Sequence, residues 1–111
     1  MTSRLLCKKS QLEENLAIGI DSLDDPNVQE FVVIMRDGQV YAYENKCPHT
    51  GVSMNWQPNE FMDLDGFYLQ CSIHGAKFQV EDGFCVWGPC AQQSLNAVSI
   101  SLQGDDVFLT D

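Results

Sequence analysis

Only two histidines, His49 and His74, occur in the 111 residues. A hydrolytic triad needs one histidine and a mononuclear non-haem iron site needs two. A metal site that used both would leave none for a second histidine-dependent centre. Basic residues are also scarce: six Lys and Arg stand against sixteen Asp and Glu, a formal net charge of −10. By stretch the charge runs +3 over 1–10, −6 over 11–30, zero over 31–46, −4 over 47–90 and −3 over 91–111, so no basic patch stands out, which argues against nucleic acid and anionic membranes as partners. The longest apolar run covers only residues 31–35. That cannot span a bilayer, and the apolar residues 5–7 are too few for a secretory signal, so a cytoplasmic setting is expected. No Gly-rich phosphate loop is present, hence no nucleotide site. Helical periodicity is missing as well. Residues 10–16 carry a cap-like Ser10 with Glu13 three positions on, but Asn15 and the following Gly19 reduce them to one turn or a loop. There is no repeat, low-complexity tract or Gly/Ser linker.

What is present is short apolar alternation between turn residues. It predicts strands over 4–8, 16–20, 31–36, 39–43, 67–71, 78–80, 84–87, 97–102 and 107–109. Asp37-Gly38 suits a two-residue type I′ hairpin, which needs positive φ at both positions. Glu81-Asp82-Gly83 and Gly104-Asp105 mark two further hairpins. Strands at this spacing, with no helix between them, predict an all-β antiparallel sandwich or barrel. With 44% apolar residues the chain can fold as a single domain, 1–111. From Asn45 to about Glu60 the alternation stops, and a loop of that length in a compact domain is usually functional. Residues 45–90 therefore read as an insertion into one sandwich formed by 1–44 and 91–111.

The insertion holds Cys47-Pro48-His49-Thr50-Gly51 and Cys71-Ser72-Ile73-His74-Gly75. Each histidine follows a cysteine, and each pair sits where a loop meets a strand. Two thiolates and two imidazoles suit either a closed tetrahedral zinc site or a [2Fe–2S] centre with two Cys on one iron and two His on the other. Zinc-finger pairs usually group the cysteines in one loop and the histidines on a helix. Here each loop supplies one of each, which suits the two-iron arrangement better. Glycines two residues after His49 and directly after His74 let the backbone approach, so that amide N–H groups can point at sulfur.

The two boxes, C-x-H-x-G and C-x-x-H-G, resemble those of the Rieske ferredoxin family. Phe78 stands at that family's aromatic position, Gly83 lies in the next turn, and Gly88-Pro89 resembles its proline-bearing third loop. The flanking hairpins look like its basal sandwich. The gap between the boxes is a few residues longer than the family's usual one, around 58–65. The resemblance implies an antiparallel Rieske-like sandwich with an inserted cluster-binding subdomain, holding one [2Fe–2S] cluster per chain. Cys47 and Cys71 would ligate the buried iron, and His49 and His74 the exposed one. It further implies a soluble carrier of single electrons, not an enzyme, moving them from a flavin-dependent reductase to a terminal oxygenase through transient contacts. The alternatives are a small Rieske-type subunit of nitrite reductase and a zinc-stapled, non-redox interaction module. With no third histidine, the chain cannot itself carry an oxygenase's two-His catalytic iron. High-potential relatives carry an inter-loop disulfide, and Ser and Tyr donors to the cluster. Val52, Ile73, Ala76 and Phe78 occupy those positions here, which implies a potential near the low end of the Rieske range, about −150 mV.

Other residues have plainer readings. Cys7, Cys85 and Cys90 are expected to be buried or edge thiols. Trp56 and Trp87 are expected in the core, and Asp63 and Asp65, with Glu60, in a solvated acidic loop. The presumptive tip, 49–54, 72–76 and 87–90, contains no carboxylate, with Ile73 near its centre. A small, mostly apolar docking contact is therefore expected there.

Overall fold

A computed structural model describes residues 4–12, 16–22, 24, 29–46, 61–63, 66–71, 75–88 and 93–110. Among these residues nine strands form: β1 Arg4–Lys8, β2 Ala17–Asp21, β3 Gln29–Arg36, β4 Gln39–Glu44, β5 Leu69–Gln70, β6 Lys77–Phe78, β7 Cys85–Trp87, β8 Ile100–Gln103 and β9 Asp106–Leu109. They build three antiparallel sheets of order β1-β9-β8, β2-β3-β4 and β5-β6-β7. The all-β expectation holds, and most predicted strands lie within one or two residues of the observed ones.

The β3–β4 hairpin turns as its sequence dictates. Arg36 pairs with Gln39, and Asp37 and Gly38 take φ of 53° and 76°, the pair of positive values that a type I′ turn requires. Around Ser10 a single 3-10 turn forms, Lys9–Gln11, in keeping with the reading of a turn there, and the Ser10 N–H and hydroxyl donate to the Asp105 carboxylate at 3.0 and 2.7 Å.

Strand alternation places the middle sheet between two cores. Val32, Ile34, Ala17 and Tyr43 point to one side, where they join Phe61, Leu69, Cys71, Ala76, Phe78, Val80, Cys85 and Leu95. Phe31, Val33, Ile20 and Ala42 point to the other, where they meet Leu6, Cys7, Leu12 and Val107. β3 is thus buried on both faces and reads as a continuous apolar run, whereas a half-exposed strand would alternate. Full burial of side chains such as Phe61, Phe78 and Ile34 contributes about 1.5–3 kcal/mol each.

Two strands are shorter than predicted. Residues 67–71 reduce to Leu69–Gln70 because the Phe67 and Tyr68 N–H groups donate to the Asp63 side chain, at 2.9 and 3.2 Å. Residues 97–102 begin pairing in earnest at Ile100, while Ala97 makes an isolated bridge to Tyr43.

Candidate metal centre

Of the four expected ligands, Cys71 is described, and Cys47, His49 and His74 lie outside the described residues, as do Trp56, Ile73, Val52, Asp65 and Cys90. Cys71 directly follows β5 and is fully buried. Its loop closes on itself: the Cys71 N–H donates to the Ala76 carbonyl at 2.9 Å, and the Gly75 N–H donates to the Cys71 carbonyl at 2.8 Å. Gly75 takes φ of 73°, a left-handed conformation that costs glycine nothing. Cys71 and Gly75 thus lie between β5 and β6, with the cysteine buried.

A second close approach fixes the position of the β5–β6 hairpin. Gly88, at φ of 106°, lies so near that a Cβ placed on it would stand 2.7 Å from the Ala76 Cα. Gly88, directly after β7, is thereby pressed against Ala76, the residue that follows the second box. Trp87, expected in the core, is 61% exposed. It pairs across with Lys77 and lies beside Gly75, its Cζ3 3.5 Å from where a Cβ of Gly75 would be. Opposite the step from Lys77 to Phe78, Val86 is an extra residue in β7; this bulge breaks the alternation after the buried Cys85, so that Trp87 faces outward. Together with Tyr68, Gln70, Lys77 and Val86 it lines an open groove of about 590 Å³.

Beneath the hairpin, the Tyr43 hydroxyl donates to the Val80 carbonyl at 2.6 Å. A Cβ on Gly83 would meet the Tyr43 ring at 2.9 Å. The Tyr43 pKa is pushed well above its usual value, first by burial and then by the charges of Asp82, Tyr41 and Glu81. Ala76 and Phe78 are both fully buried. Neither side chain has a hydroxyl to donate to a cluster sulfur.

Asp63 overturns the solvated-loop reading, for its side chain is only 3% exposed. Its Oδ1 accepts from the Phe67 and Tyr68 N–H groups, and its Oδ2 lies 3.5 Å from Lys77 Nζ. Burial alone would raise its pKa. The hydrogen bonds from Phe67, Tyr68 and Lys77 outweigh that and hold it below the usual carboxylate value. Sequence reasoning missed this residue, whose only signal was a Gly three positions on, at Gly66. On the other side of the same stretch, the buried Arg36 donates to the Gly66 carbonyl at 3.2 Å and stacks 4.8 Å from the Phe67 ring centroid. Cys7 and Cys85 are buried thiols, as expected. Burial, then the charge of Asp105, raises the Cys7 pKa, and Cys85 Sγ donates to the Trp87 carbonyl at 3.2 Å.

The Rieske [2Fe–2S] domain profile matches residues 3–103. The chain belongs to that family. This Rieske protein is 30% identical over 83 residues to the biphenyl dioxygenase ferredoxin subunit of Pseudomonas sp. (strain KKS102), covering 75% of this chain and 72% of that one. Its fold is similar to the ferredoxin of carbazole 1,9a-dioxygenase from Nocardioides aromaticivorans IC177, with a TM-score of 0.74, 20% identity and coverage of 99% and 98%. It is also similar to a chain in the complex of reduced oxygenase and oxidized ferredoxin in carbazole 1,9a-dioxygenase, with a TM-score of 0.72, 19% identity and coverage of 97% and 92%. The Rieske ferredoxin is thus an electron carrier and not a catalyst, and its cofactor is a [2Fe–2S] cluster, not zinc. The described part of the site fits that group. Cys71 offers a soft sulfur donor from a dry position, and Gly88 carries no Cβ that would strike the Ala76 backbone beside it. A bound cluster would supply one-electron transfer. Among the described residues, the chain's own part is to fix the loop around Cys71 and to keep that sulfur dry, with Trp87 exposed beside Gly75. Among the described residues, no helix is long and apolar enough to cross a membrane.

Proposed function

We propose that this ferredoxin carries single electrons from a flavin-dependent reductase to a terminal oxygenase, with Cys47 and Cys71 on one iron and His49 and His74 on the other. The observation that carries the ligand assignment is the place of Cys71: fully buried, directly after β5, at the start of a box that reads C-x-x-H-G. The oxygenase partner is supported by the relatives, a biphenyl dioxygenase ferredoxin subunit and a chain from an oxygenase–ferredoxin complex. They favour this role over a nitrite reductase subunit. Residues 45–90 act as the cluster-binding insertion on a base formed by 1–44 and 91–111. In support, β5, β6 and β7 all fall within 45–90 and the other six strands outside it. A cytoplasmic setting suits exchange with such a reductase.

Docking across the His49 and His74 edge fits the exposed Trp87 beside Gly75. A small interface of this kind is transient, below about 1,200 Å². The acidic remainder of the chain steers association more than it binds.

The dithionite-reduced protein should give a rhombic EPR signal with average g below 2. Cys71→Ser should remove it together with the visible colour, because ferric iron loses a soft anionic ligand. A Cys71→Ser protein with unchanged spectrum and iron content would refute the assignment. Transfer itself is read by mixing the reduced ferredoxin with an oxidised dioxygenase terminal oxygenase and following oxygenase reduction by stopped flow.

A further inference from the structure

We infer that Asp63 and Lys77 form a charge pair that positions the second cluster loop and tunes the affinity of the cluster for its electron. The inference rests on the assignment of Cys71 and His74 as ligands. It starts from a carboxylate in an expensive place. A buried charge is tolerated only when its oxygens are satisfied. Oδ1 of Asp63 is fully used by its own turn, through the Phe67 and Tyr68 N–H groups. An asparagine carbonyl would serve that turn as well. What asparagine cannot supply is the negative charge at Oδ2, which faces Lys77 Nζ at 3.5 Å.

Lys77 opens β6, the strand that leaves the second box. It stands three positions after His74 and next to Ala76, whose carbonyl receives the Cys71 N–H and whose Cα meets Gly88. Across the hairpin it pairs with Gln70, the residue before Cys71. Two-thirds of its side chain is shielded from water. The ammonium is therefore held close to the loop, in surroundings that screen it poorly. The two charges cancel as a pair, and each alone would bias a centre that becomes more negative on reduction. Asp63 penalises the extra electron, and Lys77 favours it. Arg36 pins the opposite side of the same stretch through Gly66 and Phe67, which keeps Asp63 from following a displaced Lys77.

The test uses the loaded full chain and three variants: Asp63→Asn, Lys77→Met and the double variant. Redox titration at pH 7 and low salt, followed by EPR, reads the ratio of reduced to oxidised protein at a fixed potential. Asp63→Asn should raise that ratio at least about threefold, roughly 28 mV at 59 mV per decade for one electron. Lys77→Met should lower it by a similar factor, and the double variant should return close to wild type. Both single-variant shifts should largely persist at high salt, because a partly buried pair is screened little. If Asp63→Asn does not load, Lys77→Met must still fall and the double variant must still recover. Single variants that move in the same direction, or not at all, overturn the inference while leaving the ligand assignment intact. A wild-type protein without the Rieske EPR signal would instead overturn the ligand assignment, and this inference with it.

Discussion

The two cores on either side of β2-β3-β4 are built differently. The one toward β1-β9-β8 is closed by strands of four or five residues over an apolar filling that includes Phe31, Val33 and Val107, with polar contacts such as Lys8–Asp106 at its rim. The one toward β5-β6-β7 has strands of two or three residues. It makes up for short ladders with point fixings: the Tyr43–Val80 hydrogen bond, the Asp63–Lys77 pair, Arg36 on Gly66, and the Gly83 and Gly88 contacts. Long ladders resist any single loss. Point fixings hold a geometry to within tenths of an ångström, but each is individually breakable. A redox site needs fixed loops more than it needs bulk stability.

Four variants sharpen this contrast. Phe31→Ala and Phe78→Ala remove buried rings from opposite cores, Phe78 being the more deeply buried, and each should cost about 3–5 kcal/mol in denaturant unfolding. Only Phe78→Ala should also speed loss of iron from the folded protein, followed by visible absorbance. Equal rates of loss would erase the distinction. Gly88→Ala should cost roughly 2–4 kcal/mol, since it combines a strained positive φ with a backbone clash at Ala76. Its effect should concentrate on amide exchange in residues 71–78, with β8 and β9 unaffected. The smallest effect belongs to Tyr43→Phe, about 1–3 kcal/mol at neutral pH, from the orphaned Val80 carbonyl. The raised pKa of Tyr43 means that folding favours its protonated form. That contribution is complete below pH 10 and fades above it, so the gap between wild type and Tyr43→Phe should narrow in alkaline unfolding curves.

Much of this was legible in the sequence. The apolar runs announced the strands, Asp37-Gly38 the hairpin, and the paired Cys and His boxes the family. The parts that were not legible depend on where distant backbone comes to rest. Asp63 looked solvated because Glu60 and Asp65 stand near it in the sequence. Its burial follows from the Phe67 and Tyr68 N–H groups that donate to it and from Lys77, fourteen positions on. Trp87 looked like core because tryptophan usually is. A bulge in its own strand, at Val86, turned it out. The role of Gly88 shows only once Ala76 stands opposite it, and Tyr43 meets Val80 only after β4 and the β6–β7 turn have packed.

The pairing of β1 with β9 sets a schedule for the newborn chain. Lys8 and its strand partner Asp106 are 98 residues apart. At about 5–20 residues per second, a ribosome takes about 5–20 s to make that much chain. Until then the first strand has no neighbour to bind, and the Phe31–Val33 face of the middle sheet lacks Val107 to complete its cover. β5, β6 and β7, by contrast, form a sheet only with one another, so their ladder can close once residue 87 has emerged. The sheet that carries Cys71 can therefore form while the other half of the molecule still awaits its closing strand.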